Sequence, residues 1–176
     1  MEILRLLCIK SGQALNLRGI AKLLKISPTA VSNSLDELEK EHLIKINKSK
    51  TMNLFLIEFN RDNVKAIEFK KTENLRMFYD SGIYDFLFNE FPGCAIILFG
   101  SYSRGEDVLG SENLGNSSDI DISIIGTKGK QMNLIKFEKM LERKIIINFY
   151  QSFKEIHKHL KENIFNGFIL SGGIEL

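Results

Sequence analysis

Phe99-Gly100-Ser101-Tyr102-Ser103-Arg104-Gly105 breaks out of an apolar run, Cys94-Ala95-Ile96-Ile97-Leu98-Phe99, and is followed after a polar stretch by Ser118-Asp119-Ile120-Asp121-Ile122-Ser123-Ile124-Ile125. The apolar run has the make-up of a strand buried on both faces. Period-two alternation governs the last piece. Asp119, Asp121 and Ser123 point to one face and Ile120, Ile122 and Ile124 to the other, so two carboxylates project side by side. Adjacent carboxylates repel and raise each other's pKa unless a cation neutralises them, which makes a divalent metal the economical explanation. Oxygen-only ligands favour magnesium or manganese. Between the two strands, Gly100 lets the backbone turn tightly against a ligand, Ser101 with the following amides at a helix start holds phosphate oxygens, and Arg104 adds charge-assisted bonds. A lone D-x-D also fits a solvated strand face; the combination with the Gly-Ser turn is what points to a nucleotide.

An apolar strand ending in F-G-S, an Arg three residues past the Ser and an S-D-I-D-I strand together resemble the nucleotidyltransferase superfamily of DNA polymerase beta, in particular its minimal, MNT-like members. The resemblance runs from about Phe91 to Tyr150. It implies that Gly100 and Ser101 hold the triphosphate of an incoming nucleotide, to which Arg104 adds its charge-assisted bonds, and that Asp119 and Asp121 are the catalytic carboxylates that bind two magnesium ions. One ion activates the attacking oxygen and the other stabilises the leaving pyrophosphate. Two departures stand out. Fourteen residues separate Arg104 from Asp119, a longer insertion than the family's, and its Gly/Ser/Asn-rich part, VLGSENLGNS, reads as a mobile loop over the site. The family's third carboxylate is expected on a neighbouring strand after the next helix; here that helix reads as Lys130 to Glu142 and the strand as Lys144-Ile145-Ile146-Ile147-Asn148-Phe149-Tyr150, which contains no Asp or Glu. Asn148 or Ile146 occupies the matching face, and Glu106, Asp107 and Glu155 are the acidic residues left to substitute from elsewhere.

Working back toward the start of the chain, residues 2–11, 16–24 and 27–42 show apolar positions at helical spacing. Ser27 and Pro28 supply the cap and first position of the third segment. Residues 43–46 and 53–57 read as two strands joined by the turn Asn47-Lys48-Ser49-Lys50-Thr51. Three short helices and a basic hairpin resemble a winged helix-turn-helix domain, with ISPTAVSNSLDELEKEHLI similar to that family's recognition helix. The resemblance implies that Thr29, Ser32, Asn33 and Asp36 face base edges and that Lys45, Lys48 and Lys50 contact phosphates. No Arg is available there for the bidentate contact with guanine, and Asp36, Glu37, Glu39 and Glu41 dilute the positive field. Winged helices also serve protein contacts and dimerisation, and that reading stays open.

The whole chain has 176 residues, 44% of them hydrophobic and 26% charged, with a net charge of +2, which excludes intrinsic disorder and collagen-like or low-complexity classes. Nine Lys or Arg against six Asp or Glu in residues 1–60 leave +3 there and −1 in the remainder, a weak pointer to an anionic partner for the first third. Cys8 and Cys94 are expected as buried thiols, Ser152 to Asn163 as an amphipathic helix with Phe153, Ile156 and Leu160 on one side and with His157 and His159 pointing away from each other, and Gly126-Thr127-Lys128-Gly129-Lys130 lacks P-loop spacing. No transmembrane run or signal peptide is apparent, so a cytoplasmic protein without a membrane partner is expected.

The expected architecture is α/β (α+β): a winged helix-turn-helix over residues 1–60, a connecting helical segment over 61–91 and a nucleotidyltransferase fold, a small mixed sheet flanked by helices, over 92–176. The expected function is magnesium- or manganese-dependent transfer of a nucleoside monophosphate from a nucleoside triphosphate to a hydroxyl acceptor, coupled to DNA binding. The missing third carboxylate leaves a second reading beside it, a catalytically weakened, nucleotide-sensing transcriptional regulator or an MNT-type antitoxin. A protein acceptor such as a HEPN toxin is implied by the resemblance alone.

Overall fold

The computed structural model describes residues 2–49, 54–110 and 117–173. The chain forms two compact units, one of residues 1–73 with 108–117 and one of residues 74–107 with 118–176.

In the first unit, α1 (Glu2–Ile9), α2 (Leu17–Leu24) and α3 (Pro28–Lys40) surround a core of Leu4, Leu7, Ile20, Val31 and Leu35. The local chemistry sets the helix starts. The Asn16 side chain accepts from Gly19 N at 2.7 Å, and the Ser27 hydroxyl accepts from Ala30 N at 3.1 Å with Pro28 in the first turn. A three-stranded antiparallel sheet, ordered β1 (Leu15–Asn16), β3 (Phe55–Phe59), β2 (Ile44–Lys48), closes the core by pairing Ile46 with Ile57 and Ile44 with Phe59. Three helices and a hairpin in this order make a winged helix-turn-helix. The two-residue β1 is too short for a periodic signal. Part of the long insertion after Arg104 belongs to this unit: Leu109 N donates to Ser11 O at 2.7 Å and Gln13 Nε2 to Gly110 O at 2.9 Å. The start of the insertion is thus hydrogen-bonded, while residues 111–116 of the expected loop lie outside the described residues.

The 17-residue α4 (Val64–Asp80) leads into the second unit, where α5 (Ile83–Glu90), β4 (Ala95–Phe99), α6 (Gly100–Arg104), β5 (Ile120–Ile125), α7 (Ile135–Leu141), β6 (Ile145–Tyr150), α8 (Lys158–Phe165) and β7 (Phe168–Ser171) follow. The sheet order is β6-β5-β4-β7, with β5 and β6 parallel and the other pairs antiparallel. All five β4 residues are buried, as a continuous apolar run requires of a central strand. Ile96, Leu98, Ile120, Ile122 and Ile124 pack toward Phe78, Ile83, Leu87 and Phe137 on one side of the sheet. Ala95, Ile97, Phe99 and Ile125 pack toward Phe153, Ile156 and Ile164 on the other. Each such fully buried side chain contributes about 1.5–3 kcal/mol.

Three sequence expectations change here. The helix expected over 130–142 starts only at Ile135. The one expected over 152–163 is interrupted: Phe153–Glu155 is a single 3-10 turn, Ile156 is extended at ψ 131, and α8 begins at Lys158. His157 therefore precedes the helix, and its ring lies 5.4 Å from that of His159 rather than pointing away. The edge strand β7 is an addition. Its turn needs Gly167, where a Cβ would lie 2.5 Å from Leu98 O and 2.9 Å from Phe99 Cβ.

Candidate active site

The antiparallel register pairs Phe99, the last residue of β4, with Asp121 of β5. The next residue, Gly100, turns into α6 at φ 78, and a Cβ there would overlap Asp121 Oδ2 and lie 3.2 Å from its Cγ. Glycine is required twice over, by the positive φ and by the carboxylate pressed against the backbone. Gly100→Ala is expected to cost about 1–2 kcal/mol through φ alone and to displace Asp121 as well. Gly82, whose φ of 76 faces open space, provides the control. Urea melts should show a loss for Gly100→Ala at least as large as for Gly82→Ala, and only Gly100→Ala should weaken nucleotide binding, by about ten-fold or more.

Asp119 lies immediately before β5, half-buried, and Asp121 is half-buried within it. Burial first, and then the neighbouring Asp119 carboxylate, push the Asp121 carboxyl up, while Arg104 draws it back in part. A carboxylate pair of this kind is unsatisfied in charge. Asp119 and Asp121 with a substrate's phosphate oxygens are a suitable donor set for magnesium, which commonly binds one or two carboxylates and keeps waters or phosphates. Among the described residues, no cluster of three or more His, Cys, Asp or Glu is assembled.

Arg104, at the end of α6, holds Glu106 at 2.7 Å, and Ser103 Oγ donates to Gly100 O at 2.9 Å. Ser101 is half-buried in the first turn of the same helix. A recess of about 350 Å³ brings Gly100, Arg104 and Asp121 together with Ile146 and Asn148 of β6. The parallel register sets Ile146 beside Asp121 and Asn148 beside Ser123, so the face on which a third carboxylate was sought carries an aliphatic and an amide side chain.

The other acidic candidates already have partners, and none of them lines the recess. Asp107 is buried against Arg143 Nη2 at 2.9 Å and Asn74 Nδ2 at 2.7 Å, Glu106 pairs with Arg104, and Glu155 accepts from Gln151 N at 3.0 Å. Two further lining residues, Leu160 and Asn163 of α8, have no counterpart in the sequence reading. No local pattern marks them, because only the packing of α8 on β4 brings them to the recess.

In the first unit, Thr29, Ser32 and Asn33 are exposed at helical spacing on α3, with Asp36 one turn on. Lys45 is engaged with Asp62, Lys48 is exposed at the end of β2, and Lys50 lies outside the described residues. Between α3 and the hairpin runs a groove of about 720 Å³ lined by Leu35, Ile46, Leu54 and Phe55, with Arg18 and Asp36 also contributing. No helix among the described residues is long and apolar enough to cross a membrane.

The profile of the nucleotidyltransferase domain family matches residues 82–171, just over half of the chain. None of the curated proteins matches. Among solved structures, a variant of Lactococcus lactis ZitR is 30% identical over 51% of this chain and 58% of its own, with a TM-score of 0.40. A second ZitR variant is 26% identical, over 52% and 62%, with a TM-score of 0.42. The adhesin competence repressor AdcR of Streptococcus pyogenes is 23% identical, over 51% and 63%, with a TM-score of 0.40. The chain spans less than two thirds of each.

Proposed function

The chain belongs to the nucleotidyltransferase domain family, and from that premise we propose that it transfers a nucleoside monophosphate from a nucleoside triphosphate to a hydroxyl acceptor. The observation that carries the reading is the Gly100 backbone pressed against the Asp121 carboxylate beside Arg104. Gly100, Ser101 and Arg104 bind the triphosphate, and Asp119 and Asp121 hold magnesium or manganese. Bound there, the metal supplies Lewis-acid polarisation of the phosphoryl group and neutralises charge on the departing pyrophosphate. The chain's own work is positional: α6 aims its amides and Arg104 at the phosphates, and the two aspartates fix the charge opposite them. Incubation with α-labelled ATP and magnesium, alone and with Asp119→Ala, tests the reading. Label transfer that survives the substitution overturns it.

One observation favours a second reading, nucleotide sensing without turnover: Ile146 and Asn148 stand where a general base or third metal ligand is wanted. Tight nucleotide binding without pyrophosphate release selects it. In either case the winged helix is proposed to bind DNA, with Thr29, Ser32 and Asn33 toward base edges and Lys45, Lys48 and Lys50 toward phosphates. By anisotropy on duplex DNA, Lys48→Ala is expected to weaken binding of all sequences alike and to reduce the slope of log K against log salt by about 1. An unchanged slope removes the wing from the interface.

A further inference from the structure

The recess around Asp121 has chemistry that phosphate and metal do not use. α8 packs on β4, its following turn brings Gly167 so close that a Cβ there would lie 2.9 Å from Phe99 Cβ, and Ile164 of the helix is fully buried. The helix is therefore fixed against the strand end from which Gly100 departs. From that position it brings Leu160 and Asn163 into the recess, on the Gly100 side of Asp121, whereas Ile146 and Asn148 enter from β6, two strands away from β4. Within the described residues, neither the Asn148 nor the Asn163 side chain makes a hydrogen bond, so both amides have their full donor and acceptor capacity free for a ligand.

Arg104 and Asp121 are the charged residues of this lining, and Leu160 and Asn163 from α8, like Ile146 and Asn148 from β6, are neutral. Of these two neutral walls, α8 is the one packed on β4, the strand that Gly100 leaves, and so the one beside a nucleoside triphosphate anchored at Gly100 and Arg104. We infer that α8 is the base-selecting wall of this site: Leu160 covers the ring of the nucleobase and the Asn163 amide bonds its polar edge. A side-chain amide pairs bidentately with an adjacent amine and ring nitrogen, the arrangement adenine presents, so adenosine triphosphate is the favoured nucleotide. This rests on the nucleotidyltransferase reading of the same site and goes beyond it by assigning the base and the residue that reads it.

Calorimetric titration of the full chain with magnesium and non-hydrolysable analogues of ATP, GTP, CTP and UTP, with inorganic tripolyphosphate as the base-free probe, tests the assignment. ATP is expected to bind about ten-fold more tightly than the others. Asn163→Ala should reduce that preference to near parity while leaving tripolyphosphate affinity unchanged, and Asn148→Ala should leave the preference intact. Equal affinities for all four nucleotides in the unsubstituted protein, or a preference that survives Asn163→Ala, overturn the assignment to α8. Failure of both tripolyphosphate and the nucleotides to bind overturns the underlying reading of the site instead.

Discussion

Asp121→Asn should lower the rate of nucleotide transfer by about three orders of magnitude, ~4 kcal/mol at 1.36 kcal/mol per decade, while leaving the protein more stable than before. The two effects share one cause. The Asp121 carboxyl is half-buried, faces Asp119 and has its pKa pushed up, so in the absence of metal its ionised form opposes folding. An amide of the same shape removes that repulsion together with the charge on which metal and triphosphate depend. The sign with pH follows. A group that holds its proton more tightly in the folded chain adds stability at low pH and loses it as pH rises through the folded-state value. Thermal melts without divalent ions should therefore show Asp121→Asn above the parent at neutral pH, with the gap closing on acidification toward the carboxylate range. A variant less stable than the parent at neutral pH contradicts this account, whatever its activity. The trade of stability for function is common where like charges are gathered to bind a ligand.

How much of this was legible from residue order depends on the range of the interactions involved. Strand β4 and the Asp119/Asp121 pair could be read because their patterns are complete within a few residues: an unbroken apolar run, a glycine at its end and a two-residue alternation. The start of α3 was legible for the same reason, since Ser27 caps a group three positions away. Strand β7 was not, because the four residues after Gly167 become an edge strand only by pairing with β4, about 70 positions earlier in the chain. The Leu160 and Asn163 contribution fails likewise, as it needs α8 to be placed first. The candidates for a missing carboxylate show the opposite hazard. Asp107 lies three residues past Arg104 and looked available, yet its partners are Asn74 and Arg143, 33 and 36 positions away.

Those partners make Asp107 the site of the largest expected stability loss. Asp107 and Arg143 side chains are 1% and 2% exposed and meet at 2.9 Å. Asn74 Nδ2 donates both to Asp107 Oδ1 at 2.7 Å and to Tyr102 O at 2.8 Å, and Tyr102 Oη donates to Asn74 O at 3.2 Å. Burial, with Asp107 nearby, holds the Tyr102 phenol firmly protonated. One carboxylate thus ties together α4, α6 and the turn before β6. Asp107→Ala takes away the carboxylate that the buried Arg143 guanidinium meets and should cost about 3–5 kcal/mol, a large share of the roughly 5–15 kcal/mol that holds a typical domain folded. Removing both charges is a different experiment, since an apolar pair of similar volume avoids the stranded ion. Asp107→Leu combined with Arg143→Met should recover most of the loss, and urea melts of the parent, Asp107→Leu, Arg143→Met and the double variant would give a coupling of several kcal/mol. A loss below about 1 kcal/mol for Asp107→Ala would show the pair to be dispensable. Transfer activity separates this structural role from a chemical one. Measured per folded molecule, the double variant should transfer within a few-fold of the parent, whereas a third catalytic carboxylate at Asp107 would make it as inactive as Asp121→Asn.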